Sequence, residues 1–187
     1  MGKLFWILTV SMIGLATHIS YVLFAPALLF QQKLYQTTEG RPDNSFFILT
    51  PEKQAQLFPA ATVLDVVGVC KYDLGAGQLL LSATLPKTFW TMAIYTQSGK
   101  QVYALDDVQA GSSEFTIELS RAKSLLEQIL ATGEPDDVGQ IENLGWRVET
   151  TERRGLAIVW IPLSDELMRK PFEAIIKDSR CEPKTAG

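Results

Sequence analysis

The sequence contains little of the chemistry on which most enzymes depend. Its 187 residues include one histidine, His18, and two cysteines, Cys70 and Cys181. Because no histidine follows position 18, the rest of the chain cannot build a Ser-His-Asp triad, a Cys-His pair or a His-ligated metal site. The two cysteines lie 111 positions apart, which also excludes a standard zinc motif.

Nucleotide and nucleic-acid binding find no support either. Gly75-Ala76-Gly77 lacks the further residues of a phosphate-binding loop, and a strand is predicted after it, so it indicates a turn. The formal net charge is −4, and no basic cluster is present. Since phosphate contacts dominate affinity for nucleic acids, the sequence predicts no nucleic-acid partner, and it predicts no cofactor.

Charge is also absent from the start of the chain, where no Asp, Glu, Lys or Arg occurs between Leu4 and Gln32. The apolar run Leu4–Phe30 exceeds the ~20 residues that cross a bilayer, so residues 1–30 are predicted to form a transmembrane anchor, interrupted near Pro26. A cleaved signal peptide is the alternative, with Ala25-Pro26-Ala27 as its cleavage site. The run is longer than the ~7–15 residues of a signal-peptide core, which favours a retained anchor.

The orientation of this anchor depends on the cysteines, because the flanking charges Lys3, Lys33 and Arg41 decide little. A pair that joins the middle of a domain to its C-terminal end suits a disulfide in an oxidising compartment. Two buried thiols in a cytosolic domain are the alternative. We expect a Cys70–Cys181 disulfide, a cytoplasmic N-terminus and a domain on the opposite side of the membrane.

One stripe of the anchor helix carries small and hydrogen-bonding residues. They recur every three or four positions: Ser11, Gly14, His18, Tyr21 and Ala25. Such residues let membrane helices approach closely, so the stripe predicts a membrane-protein partner or a homodimer in addition to the lipid bilayer. Alternatively, polar residues are simply tolerated in a single span; a proton-relay role for His18 is the less favoured functional reading.

The remainder divides into a stalk over residues 31–44, which lacks apolar periodicity, and a β-rich domain over residues 45–187. Strands are predicted at Ser45–Thr50, Thr62–Cys70, Gln78–Leu85, Phe89–Thr96, Gln101–Leu105, Phe115–Leu119, Trp146–Thr150 and Gly155–Leu163. Two hairpins are expected, one joining Phe89–Thr96 to Gln101–Leu105 and one joining the last two strands. Gly155–Leu163 is apolar throughout, which favours a central strand.

Alternation along Phe89–Thr96 places Trp90, Met92 and Ile94 on one face of the sheet and the intervening residues on the other. Two helices are also predicted, from Ser120 to Thr132 and from Ser164 to about Lys177, the latter kinked or restarting at Pro171. The fold class is therefore mainly β with minor α. The architecture is an N-terminal transmembrane helix followed by an antiparallel β-sandwich or open barrel with two helices, the last at the C-terminus.

Possible ligand-binding residues cluster around the first hairpin. Trp90, Tyr95, Tyr103 and Asp107 could line a pocket, although aromatic residues on strands more often belong to the core. The pairs Asp106-Asp107 and Asp136-Asp137 could perform acid–base chemistry or hold Ca²⁺, and are equally compatible with solvated loop ends. No catalytic or metal-binding residue is assigned.

Several of these motifs together resemble a known family. They are Cys70-Lys71-Tyr72-Asp73-Leu74, Trp90-Thr91-Met92-Ala93-Ile94-Tyr95, Gly99, Val102-Tyr103 and Asp106-Asp107. The chain resembles a short, single-span form of the bacterial domain-of-unknown-function family 1254, envelope membrane proteins mainly of alphaproteobacteria, in which Asn-Asp often stands in place of Asp106-Asp107. The resemblance extends to the anchor with His18, the strand Gly155–Leu163 and the terminal helix with Cys181. It implies an inner-membrane location with a periplasmic domain, beside a companion membrane protein, and brings no established reaction.

Two functional hypotheses follow. The first is a non-enzymatic accessory or interaction subunit of the bacterial cell envelope, anchored in the inner membrane. The second is a binding module or hydrolase for an envelope glycan or small ligand, acting through Asp and Tyr side chains at the hairpin ends. A pocket lined by the aromatic residues above, with a carboxylate pointing into it, would favour the second.

Overall fold

A computed structural model describes residues 2–58, 61–62, 64–122, 140–141 and 145–184. It begins with a single helix, α1 (Gly2–Thr38), of 37 residues, or about 55 Å at the usual rise per residue. The helix continues through Pro26, so the predicted interruption there is wrong. One proline removes one backbone hydrogen bond, which the intact turns on either side outweigh in a long helix.

The predicted stalk over residues 31–44 is also corrected, because α1 includes its first eight positions. Thr37 and Thr38 are buried, and their hydroxyls donate to the carbonyl oxygens of Lys33 and Leu34 at 2.7 and 2.8 Å. Gly40 then adopts a positive φ of 71° and turns the chain towards the first strand. The helix therefore runs directly into the β domain, the part of the chain after α1.

The described residues of the β domain form two five-stranded sheets. Sheet A contains, in spatial order, β1 (Phe46–Ile48), β2 (Val66–Asp73), β9 (Arg154–Ile161), β4 (Thr91–Thr96) and β5 (Gln101–Asp106), all antiparallel. Sheet B contains β10 (Arg180–Pro183), β3 (Leu79–Thr84), β6 (Glu114–Arg121), β8 (Gly145–Thr150) and β7 (Gln140–Ile141). Only the β6–β8 pair in these sheets is parallel. The predicted central position of Gly155–Leu163 is confirmed by β9.

Short helical segments connect the strands. They are α2 (Pro51–Leu57), α3 (Asp107–Ala110) and α4 (Arg169–Asp178), with single 3₁₀ turns at Leu74–Ala76 and Glu166–Met168. α2 was not predicted: Pro51, expected to end a strand, begins a helix whose cap is Thr50. The C-terminal helix restarts as α4 with Pro171 in its first turn, as expected, but Asp165 rather than Ser164 caps the preceding 3₁₀ turn.

The core lies between the two sheets. Buried side chains from both sheets form one cluster, in which Trp90 stacks on Phe115 with ring centroids 5.3 Å apart. Phe172 and Ile176 of α4 complete it. Along β4, Met92 and Ile94 point into this core as the alternation predicted.

The Cys70–Cys181 disulfide is present and joins β2 to β10, with Cα atoms 6.5 Å apart. It therefore connects sheet A to sheet B at buried positions. Cys181 lies in the strand that follows α4, so the bond fixes this helix to the sheets only indirectly.

The fold-class prediction holds in its coarser form: a long apolar N-terminal helix, two sheets of mostly antiparallel strands and a short C-terminal helix. "Mainly β" does not fit, because among the described residues those in helices outnumber those in strands. α1 accounts for this difference.

The expected helix from Ser120 is not supported at its first residue, which lies in β6. Residues 123–139, including Asp136-Asp137, fall outside the described residues.

The predicted hairpin between the last two strands is wrong, because β8 and β9 lie in different sheets. The short connection between them crosses from sheet B to sheet A instead of folding back. The start of β9 requires a glycine at position 155, because a side chain there would collide with the carbonyl oxygen of Tyr95 and the hydroxyl of Tyr72. This close approach fits β9 between β2 and β4.

Candidate functional site

The four predicted ligand-binding residues do not share a pocket. Trp90 is 1% exposed in the core, and the half-buried Tyr103 packs against the same core. Tyr95 points to the opposite face of sheet A. The backbone N–H of Asp107 donates to the carbonyl oxygen of Trp90 at 3.3 Å, which joins these two residues through their backbones.

The acidic pair after β5 shapes the chain. The carboxylate of Asp106 accepts a hydrogen bond from the backbone N–H of Gln109 at 2.7 Å and caps α3. One carboxylate oxygen of Asp107 is buried and has no hydrogen-bond partner among the described residues. Neither residue lines the apolar groove described next.

Sheet A carries an apolar groove of about 320 Å³ on the face turned away from the core, here called the outer groove. Its floor is a row of paired residues on three adjacent strands, Ala104, Ala93 and Ile158. The two alanine side chains end at Cβ and leave space above the strands. The larger side chains of Tyr95, Trp160 and Phe58 form the walls of the groove.

A second cavity of about 290 Å³ lies where α1 crosses the same face. It shares Phe58, Tyr95 and Ile158 with the outer groove, so the two spaces adjoin. Phe30 and Leu34 of α1 contribute to its lining. Lys33 is the only charged side chain among the described residues that line either space.

The end of α1 is built into this face of the sheet. Phe30 contacts Tyr95, with ring centroids 6.0 Å apart, and it lies over Gly99 of the β4–β5 turn. A Cβ at Gly99 would come within 2.8 Å of the Phe30 ring, and the φ of 87° there also favours glycine. Leu34 packs against a second buried cluster that includes Val69 and Leu156.

Asp65 positions the Trp160 wall of the groove. It is 2% exposed, and its carboxylate accepts hydrogen bonds from Thr62, from Leu163 and, at 3.0 Å, from the indole N–H of Trp160. Burial raises the pKa of Asp65, but these hydrogen bonds outweigh it and leave the pKa below its ordinary value. Phe89 packs edge-on against the same indole at 6.1 Å.

The other polar clusters hold loops at the opposite end of sheet A. Asp73 accepts from Arg153 at 2.6 Å and Arg154 at 2.8 Å, and these bonds hold its pKa well below the usual range. Glu152 accepts from the backbone N–H and hydroxyl of Ser98. Burial raises the pKa of Tyr72 to about 12, and its hydroxyl donates to the carbonyl oxygen of Tyr95. All these groups are engaged in structural hydrogen bonds.

The arrangement is suited to binding an apolar group, not to acid–base chemistry. No Asp, Glu or His lines the outer groove or the adjoining cavity among the described residues. Within the same described ranges, no cluster of His, Cys, Asp and Glu could hold a metal ion. Sequence reasoning missed the groove. Its one visible signal was that Gly155–Leu163 is apolar on both faces.

On α1, the predicted interface residues Ser11, Gly14, His18 and Tyr21 are exposed in the single chain, and Ala25 is partly exposed. They remain free for a partner helix or for lipid. α1 is long and apolar enough to cross a membrane, and the most apolar part of it is not buried against the rest of the chain.

No protein-family model matches the sequence, and no curated protein matches it. The fold is similar to the crystal structure of the VPA0106 protein from Vibrio parahaemolyticus, with a TM-score of 0.59 and 10% identity over 89% of this chain and 40% of that one. An uncharacterised protein from Burkholderia cenocepacia gives a TM-score of 0.45 and 13% identity over 89% of this chain and 44% of that one. The chain thus spans less than half the length of either protein. The first similarity supports the fold alone, and the second is too low to carry an argument.

Proposed function

We propose that this chain is an inner-membrane protein of the bacterial envelope, a short form of family 1254, whose β domain acts in the periplasm as a non-enzymatic accessory or interaction subunit. One observation carries the proposal: α1 passes without a break from its apolar run into the outer face of sheet A. A domain joined in this way is held at the membrane surface, because no flexible stalk separates the two.

The length of α1 supports this placement. A hydrocarbon core of ~30 Å takes about 20 helical residues, so a helix of 37 residues leaves several turns beyond it. Those turns are the ones that pack on the β domain. We interpret the two sheets as a β-sandwich that rests on the bilayer through this helix.

The disulfide supports the compartment. Disulfides persist in oxidising compartments such as the periplasm and are rare in the cytosol. Cys70 and Cys181 are bonded and buried, so the domain is suited to the outer side of the inner membrane. This placement leaves Lys3 on the cytoplasmic side and the small-residue stripe of α1 within the bilayer, available to a membrane partner or a second copy.

The outer groove favours a second candidate, a binding module for a small ligand. Its apolar lining suits a hydrocarbon better than a glycan, whose hydroxyl groups need many polar partners. Hydrolysis is not part of this proposal, because the described residues of the lining include no carboxylate.

Topology can be tested by labelling the full-length chain in spheroplasts with a membrane-impermeant amine reagent. We expect exposed domain lysines such as Lys87 and Lys100 to react at once, and Lys3 to react only after the membrane is permeabilised. The cysteines should resist maleimide until reductant is added. Immediate labelling of Lys3 together with protection of the domain lysines would reverse the orientation.

The accessory role requires a partner, which crosslinking mass spectrometry on native membranes detects. We expect a crosslinked membrane protein or homodimer that is lost in Gly14→Leu or His18→Leu and retained in Ile13→Leu, a neighbouring substitution outside the stripe. Failure to recover any partner, with all three variants behaving alike, would remove the interaction role and leave the anchor intact.

A further inference from the structure

The outer groove is open apolar surface that the described chain leaves uncovered at the β5 side of sheet A. On the β2 side, Val67 and Val69 are each 1% exposed beneath α1 and α2. On the β5 side, Ala104 is exposed, and Ala93 and Tyr95 are only half-buried. Contiguous apolar surface of this kind usually marks a binding site, and the volume of about 320 Å³ lies within the range of ligand pockets.

The position of α1 identifies the source of the ligand. If the apolar run enters the hydrocarbon core at Leu4, it leaves it after about 20 residues, and Phe30 follows within about 10 Å of helix. Phe30 and Leu34 line the cavity that adjoins the outer groove. The groove is therefore continuous with the membrane-facing surface of α1, at the level of the lipid headgroups.

The charged residue beside these two spaces, Lys33, indicates the kind of lipid. Lys33 is the only charged side chain among the described residues that line the two spaces, and it lies one helical turn beyond Phe30. An ammonium at this level is complementary to an anionic headgroup, whereas the lining beyond it accepts hydrocarbon. A peptide would also need partners for its backbone polar groups, which this lining supplies poorly.

We propose that the outer groove takes one acyl chain of an anionic phospholipid from the membrane that holds α1, with Lys33 beside the headgroup. This inference rests on the proposed membrane location. It adds a ligand class to the β domain: a membrane lipid whose chain lies across β5, β4 and β9.

The test uses the full-length protein in liposomes that contain phosphatidylglycerol with a photoreactive group on one acyl chain. Crosslinked residues are mapped by mass spectrometry. We expect crosslinks on α1, from lipid around the span, and a second set on the outer face of sheet A between Thr91 and Ala104. Crosslinks on α1 alone would overturn the groove proposal and leave the anchor, whereas their absence from α1 would overturn the anchor itself.

Two matched variants test whether the crosslinks on sheet A arise from lipid bound in the outer groove. Ala104→Trp fills the groove from an exposed strand position and should lower crosslinking of sheet A about tenfold, because the apolar space is occupied. Thr84→Trp places the same side chain at an exposed strand position of sheet B and should leave it unchanged. Equal crosslinking in the two variants would contradict binding in the groove. Near-ultraviolet circular dichroism confirms that both are folded, and Ala93→Phe fills the same space should Ala104→Trp fail to fold.

The role of Lys33 at the headgroup is tested by comparing lipids with anionic and zwitterionic headgroups. The unaltered chain should prefer phosphatidylglycerol over phosphatidylcholine, with its zwitterionic headgroup, by about two- to fivefold at the sheet A positions. Lys33→Glu should abolish that preference, while Lys53→Glu, which changes a lysine outside the lining, should retain it. A preference unaffected by Lys33→Glu would remove the headgroup contact from the proposal.

Discussion

The two faces of sheet A differ although they are built by the same strands. On β4, Met92 and Ile94 are at most 1% exposed and pack against sheet B, whereas Ala93 and Tyr95, one position along, are half-buried. The inner face is closed by a second sheet and by α4, while among the described residues only those of α1 and α2 cover the outer face. Packing on the inner face therefore stabilises the fold, and the outer face leaves space for a ligand.

The largest expected effect comes from truncating an aromatic residue on each face. Trp90→Ala should lower the free energy of unfolding by about 3–5 kcal/mol, because it empties a packed site against Phe115. Tyr95→Ala, on the outer face, should cost about 1 kcal/mol, since the ring is half-buried and the groove is already open. Denaturant unfolding of the two variants measures the difference. Comparable losses would mean that the two faces are packed alike.

A smaller loss in the free energy of unfolding is expected from substitution of Asp65, which accepts a hydrogen bond from Trp160 on the outer face. Asp65→Asn should cost about 1–3 kcal/mol at neutral pH, because hydrogen bonds to a buried charged acceptor are weakened. The pKa of Asp65 is lowered in the folded state, so its contribution is fully present above the ordinary pKa of about 4 and is lost as the pH falls through the folded value.

The measurement is unfolding free energy from pH 7 down to pH 3 for the parent and Asp65→Asn. Other carboxylates titrate in both proteins, so their shared dependence cancels in the difference. The stability gap should be constant at neutral pH and narrow below about pH 4. A gap that stays constant throughout would show that Asp65 does not contribute through its ionised form.

The alternation that separates the two faces is visible in the sequence, and so is the central position of β9, because strand periodicity is a local property. The disulfide could also be predicted, since a cysteine pair that joins the middle of a domain to its C-terminal end suits a disulfide better than the alternative of two buried thiols. The β8–β9 hairpin could not be decided in this way. A short polar connection looks the same whether the chain returns along the same sheet or crosses to the other, and the packing around Gly155 decides between them.

The groove was beyond sequence reasoning for a related cause. Its residues come from the end of α2, the segment after it and four strands, so Phe58, Val67 and Ala104 share no local pattern. The end of α1 was assigned to a stalk because its polar residues show no apolar period. Burial of Thr37 and Thr38 against the domain extends the helix there, and tertiary packing of this kind overrides local propensity.

The central claim, that α1 continues into the β domain and is fixed against sheet A, is tested most directly by hydrogen exchange of the full chain in lipid nanodiscs. We expect the amides of residues 31–38 to exchange at least ~100-fold more slowly than those of the loop 111–113, which lies outside the helices and strands. Leu34→Ala should accelerate them, whereas Tyr35→Ala, at a residue 68% exposed, should not. Exchange of residues 31–38 as fast as that of the loop would contradict the account, because the β domain would then hang from a flexible stalk.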